Sequence, residues 1–115
     1  MTIQERSVGS VVFLDISGRL VLGEGDALLK DTVQGLFEKG STQVVLNLVD
    51  VPYVDSAGLG ALVGAFLAAR SEGGAVKLLN PSKRLRDLLS MAKLLKVVDV
   101  YDSEAQVLSS FGAGV

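Results

Sequence analysis

The stretch Val54-Asp55-Ser56-Ala57-Gly58-Leu59-Gly60 sets a hydroxyl beside a carboxylate, just ahead of two closely spaced glycines. An apolar run precedes it and a helical pattern follows. The plainest use of such residues is structural. Asp or Ser at a helix start caps backbone N–H groups that have no partner within the helix. Gly58 and Gly60 would then let the helix approach the sheet, with Gly64 and Ala68 continuing a line of small residues. Three chemistries compete with that use. A nucleophile elbow needs Gly-x-Ser-x-Gly, but Val54 stands two residues before Ser56, and the chain has no histidine to act as base. A phosphate-binding loop needs Gly-Lys-Ser/Thr after its glycines, and Gly58-x-Gly60 lacks it. The third chemistry makes Ser56 the acceptor of a phosphoryl group. A helix start suits it, because the helix dipole and free N–H groups favour an anion there.

Composition narrows the rest. There are no cysteines and no histidines among the 115 residues. Disulfides, zinc sites built on those ligands and imidazole-based triads are therefore excluded. The net charge is −2, with no tryptophan and only two tyrosines and four phenylalanines. Neither a general phosphate-neutralising surface nor an aromatic stacking platform for nucleic acid is expected. The residues after Met1 carry no apolar signal core, and the uncharged stretch Ser56–Ala69 falls short of the roughly 20 residues of a membrane span. A cytoplasmic protein with no cofactor is the expectation.

The elements that must position Ser56 follow from hydropathy patterning. Residues 11–17 read as a strand, preceded by a weaker strand over 3–8 and a Gly9-Ser10 hairpin turn. Gln43 to Val49 is nearly continuous in apolar residues, as in a central strand covered on both faces. Residues 75–79 and 97–101 give the remaining strands. Between them, Leu29, Val33, Leu36 and Phe37 mark one face of a helix over 26–39 that Gly40 stops. Residues 56–70 read as a helix buried on most sides. Ser82 caps a third helix carrying Leu85, Leu88, Leu89 and Ala92, with Met91 placed in the core by its spacing. Asp102 caps a fourth, with Val107, Leu108 and Phe111 inward. This alternation predicts a single α/β domain over residues 1–115, with a mixed, mostly parallel sheet, an N-terminal hairpin strand and about four helices. The loop from Asp50 to Asp55 lies at the carboxyl end of a strand, where such sheets place ligand and partner surfaces.

Charge is uneven. Lys77, Lys83, Arg84, Arg86, Lys93 and Lys96 supply six of the eleven basic side chains within twenty residues, against Asp87 alone. A solvated outer helix face is the ordinary reading, and a docking patch for an acidic surface is the sharper one.

Val51-Pro52-Tyr53-Val54-Asp55-Ser56-Ala57-Gly58-Leu59-Gly60 closely resembles the signature of bacterial anti-sigma factor antagonists. These are single-domain members of the STAS superfamily (sulfate transporter and anti-sigma factor antagonist). The strand Val44–Leu48, Gly73-Gly74, Leu78-Leu79-Asn80-Pro81, the Leu-rich helix after it and Tyr101-Asp102-Ser103-Glu104 resemble their counterparts as well. The resemblance implies a partner switch. The unmodified antagonist binds an anti-sigma factor that is itself a GHKL-type serine kinase, and the sigma factor is freed for transcription. The kinase phosphorylates the serine after the motif acid, here Ser56, and a PP2C-type phosphatase restores it. Asp55 would shape the loop, and Gly58 and Gly60 would allow close backbone approach.

Two departures stand out. Many relatives read Gly-Glu/Asp-Leu-Asp where this chain has Gly18-Arg19-Leu20-Val21, so the usual acid is missing at Val21. Glu24 and Asp26 are the acids close enough in sequence to stand in. Ala57 leaves the motif with a single hydroxyl. A docking surface is expected to combine Asp50–Ser56, including Tyr53, with the first turn of the next helix and the Gly23–Asp26 loop. Leu59 is an apolar anchor or, more ordinarily, a core residue. The resemblance also implies a monomer when free. The same fold without a sigma factor serves as a scaffold in sensory complexes or as the small cytoplasmic subunit of a lipid-transport complex, and this is the alternative. A hydrolase using Ser56 is the enzyme-class alternative, without a base at motif spacing.

Overall fold

The structure, a computed structural model, describes residues 1–112, so the end of the expected 1–115 domain lies outside it. β1 (Thr2–Val8) and β2 (Val11–Ser17) form an antiparallel hairpin across Gly9-Ser10. β3 (Gln43–Asp50), β4 (Ala75–Leu79) and β5 (Val100–Tyr101) add in order, each parallel to its neighbour. Four helices alternate with them: α1 (Asp26–Glu38), α2 (Ser56–Ser71), α3 (Lys83–Met91) and α4 (Glu104–Ser110). The mixed, mostly parallel sheet with its hairpin strand is the expected architecture.

Side chains alternate across a strand, so each strand serves two cores. Val12, Leu14, Ile16, Val44, Leu46, Leu48, Val76 and Leu78 face α1, α2 and α3, which contribute Leu29, Val33, Leu36, Phe37, Leu62, Phe66, Leu85 and Leu89. The opposite face buries Val11, Phe13, Val45 and Leu79 under Val107 of α4. Beside this smaller core the same face turns polar. Arg6 donates to Asp15 at 2.7 Å and to Glu104 at 2.6 Å, and Asn47 donates to Asp15 at 2.9 Å. The Arg6 guanidinium, with Asn47, holds the Asp15 carboxyl below its ordinary range.

Several expectations change. The last strand shrinks to Val100–Tyr101, because the chain is still turning through Leu94 N–H to Leu89 O and Val97 N–H to Leu94 O. Ser103, not Asp102, caps α4, accepting from the Gln106 N–H at 3.1 Å, while Asp102 is ion-paired with Arg86. Met91 is exposed, since it sits at the end of α3 past the last buried leucine. α2 is buried along one face only: Leu62, Ala65, Phe66 and Ala69 are inside, while Gly60, Gly64 and Leu67 are exposed. Lys77 leaves the solvated basic run, because β4 carries its side chain onto the α4 face, where it is buried.

Candidate functional site

The site is built where the chain leaves β2 and β3. Both strands end at the same edge of the sheet, and their following loops continue side by side. Gly18 N–H donates to Asp50 O at 3.0 Å, Leu20 N–H to Tyr53 O at 3.0 Å, and Asp55 N–H to Leu20 O at 3.2 Å. Leu20 and Val54 form an isolated parallel bridge, and both are buried. The loops expected to share a surface are thus joined by backbone hydrogen bonds.

Asp55 closes this junction. Its backbone is extended, as an N-cap requires, and its carboxylate accepts from the Gly58 N–H at 2.8 Å. The other oxygen accepts from the Leu22 N–H at 3.0 Å. One carboxylate therefore satisfies the helix start and pins the neighbouring loop. The Leu22 and Gly58 N–H groups favour its charged form and lower its pKa. Gly58 makes the contact possible. A Cβ there would lie 2.0 Å from the Leu20 carbonyl oxygen, which backbone cannot accept. The close approach expected of Gly58 is to the Leu20 loop, whereas a Cβ on Gly60 or Gly64 would meet open space. Those two positions line a groove of about 490 Å³ between α1 and α2, with Asp26 and Ala57 at the same groove.

Ser56 is the first residue of α2 and is exposed. Asp55 has taken the capping role, and among the described residues the Ser56 hydroxyl makes no hydrogen bond. A free hydroxyl thus stands at the positive end of a 16-residue helix. The other expected residues distribute as follows. Asp26 begins α1 and accepts from the Gly23 N–H at 2.9 Å, and Glu24 is exposed in the turn before it. Asp50 is exposed at the end of β3. Leu59 is half-buried against the main core, closer to its ordinary reading than to an exposed anchor. Val21, where an acid was expected from the resemblance, is 8% exposed and part of the core.

Tyr53 joins Arg84 of the basic run and Arg19 of the Gly18–Val21 segment to the site. Its ring lies beneath two guanidinium groups, Arg84 at 4.8 Å and Arg19 at 5.5 Å from the centroid. Neither arginine makes a salt bridge among the described residues. Arg84 arrives from the first turn of α3 because β4 ends at the same edge. Leu22 is the other addition, 72% exposed and directly beside the Asp55 contact. Its signal in the sequence was an apolar residue inside a Gly-rich loop. Among the described residues, no group of three or more acidic side chains gathers as a metal site.

A sheet of this order, with a free serine beside an aspartate cap at the β3–α2 junction, defines a class: residues 2–107 match the STAS domain, and the chain belongs to that family. It is similar to the anti-sigma F factor antagonist of Paenibacillus polymyxa, with 25% identity over 86% of this chain and 85% of that protein. The anti-sigma-B factor antagonist of Bacillus subtilis (strain 168) is 37% identical over 64% of this chain and 66% of its own. The crystal structure of tm1081 from Thermotoga maritima matches with a TM-score of 0.89 at 28% identity, covering 96% of this chain and 94% of that one.

Proposed function

We propose that this chain is an anti-sigma factor antagonist, switched off when a partner serine kinase of GHKL type phosphorylates Ser56. The observation that carries the reading is the free, exposed Ser56 hydroxyl at the start of α2, with capping delegated to Asp55. The family membership and the names of its relatives support the antagonist role.

In this reading the unmodified edge docks on the anti-sigma factor and displaces the sigma factor. Leu22 and Tyr53 supply apolar and aromatic contact, and Glu24, Asp26 and Asp50 supply charge. The kinase then forms a bond from Ser56 Oγ to the γ-phosphorus of ATP, the β–γ bridge breaks, and ADP leaves. The hydroxyl proton goes to a base of the kinase. Asp55 is a poor candidate for that base, since both its oxygens accept from backbone N–H groups. The same occupation argues against a hydrolase built on Ser56, so the chain acts as a regulator and not as an enzyme. It works as a monomer in the cytoplasm, without cofactor or direct nucleic-acid contact. A PP2C-type phosphatase hydrolyses the ester and resets the switch.

Release follows from charge. Phosphoserine brings about −2. Opposite a partner carboxylate at ~7 Å, repulsion is about 1–5 kcal/mol for an effective dielectric of ~20–80. Each ~1.4 kcal/mol is tenfold in affinity. Within the free chain the N-terminus of α2 tolerates the new anion, so the modified domain stays folded. Calorimetric titration of both forms against the anti-sigma kinase tests this. Binding at least about tenfold weaker for the form phosphorylated on Ser56 is expected. Equal affinity of the two forms would overturn the switch.

A further inference from the structure

Toward the amino ends of the parallel strands, away from Ser56, β4 holds a charge that no acidic side chain among the described residues balances. Lys77 is 8% exposed. Its ammonium donates to the Ser110 carbonyl at 3.2 Å and to Ser110 Oγ at 2.8 Å, and Ser110 Oγ donates onward to Val107 O at 2.6 Å. The Phe111 and Tyr101 rings stand 4.4 and 5.6 Å from the nitrogen. All of these partners are neutral, and among the described residues no carboxylate pairs with Lys77. Two of the three ammonium N–H groups are used. Buried charges are ordinarily paired, because neutral dipoles and aromatic faces only partly replace water.

Lys77, Ser110 and Phe111 also line a hollow of about 460 Å³ at the start of β3 and β4. That volume suits a small molecule. Its walls are mostly polar, with Ser41, Thr42 and Gln43 among them. Gln43 Oε1 already accepts from Ser10 Oγ at 2.9 Å, which leaves the amide NH2 as a donor. Among the described residues the hollow therefore combines one buried cation with neutral donors and includes no acidic side chain.

We propose that the Lys77 hollow binds a small oxyanion, a carboxylate or phosphate group carried by a small molecule, with the Lys77 ammonium as its counter-charge. The site lies at the amino end of β3 and β4, the opposite end of these strands from Ser56, and stands or falls independently of the phosphorylation switch. Residue-resolved NMR titration of the full chain with inorganic phosphate, and separately with acetate, tests it at constant ionic strength set by chloride. Saturable shifts are expected at Gln43, Ala75–Lys77 and Ser110–Gly112, and the anion that saturates first identifies the group preferred. Lys77→Met should weaken binding about tenfold or more, the loss of one charge-assisted hydrogen bond. Should that variant not fold, Lys77→Arg, which keeps the charge, must retain the shifts, and Thr42→Val must weaken them. Absence of saturation, shifts confined to Ser56–Gly58, or unchanged binding in Lys77→Met would overturn the site.

Discussion

Three helices of this domain begin at or beside a serine, and they use it in two ways. Ser82 and Ser103 are themselves the caps of α3 and α4, each hydroxyl accepting a backbone N–H at 3.1 Å. At α2 the serine is displaced by one position. Asp55 caps, and among the described residues the Ser56 hydroxyl that follows makes no hydrogen bond. A capping hydroxyl is committed to its own helix, whereas a hydroxyl beside a carboxylate cap is available to another molecule. The difference separates serines committed to their own helix starts from one whose hydroxyl is left available.

The largest expected effect tests how tightly the α2 start is built. Gly58→Ala drives a methyl into the Leu20 carbonyl and should cost about 2–3 kcal/mol in urea unfolding. Gly60→Ala, two residues on in open space, should instead stabilise by about 0.5–1 kcal/mol. Equal effects would show that the Leu20–Gly58 contact is not tight. Ser82→Ala removes a working cap and should cost about 1 kcal/mol, while Ser56→Ala should fall within about 0.5 kcal/mol of wild type. A large loss at Ser56 would collapse the distinction between the serines.

Asp55 sharpens the comparison through pH. Its folded-state pKa is depressed by the Leu22 and Gly58 N–H groups, so its contribution is present above the ordinary carboxylate value near 3.8. That contribution is lost as pH falls below this value toward the folded one. Asp55→Asn should therefore destabilise at neutral pH and flatten the acid limb of the stability curve. Asp15, depressed by Arg6, keeps the remaining dependence in the same direction. An unchanged acid limb in Asp55→Asn would mean that the two N–H contacts do not favour the carboxylate.

Where the sequence was informative, a local pattern and a local cause coincided. The alternation and apolar runs of β2 and β3, the spacing of Leu29, Val33, Leu36 and Phe37, and the Asp55 cap all depend on neighbours a few residues away. What escaped depends on chain segments far apart. Gly58 and Gly60 look alike in sequence, but only Gly58 faces the Leu20 loop. Lys77 belongs to a basic run, but strand alternation turns it inward beneath α4. Arg84 reaches Tyr53 because two loops share an edge, which no spacing reveals. Val98 kept the apolar look of a strand, yet its N–H bonds back to Leu94 in a turn.

The proposed switch requires that Ser56 accept the phosphoryl group. Its most direct test is intact-mass analysis of the chain from its native host across growth and stress conditions, with fragmentation to locate any phosphate. Wild-type chain is predicted to carry one phosphate, on Ser56, and Ser56→Ala chain from the same host to carry none. A wild-type chain that stays unmodified throughout, including after addition of ATP and host lysate, or a phosphate placed at another residue, would contradict the account.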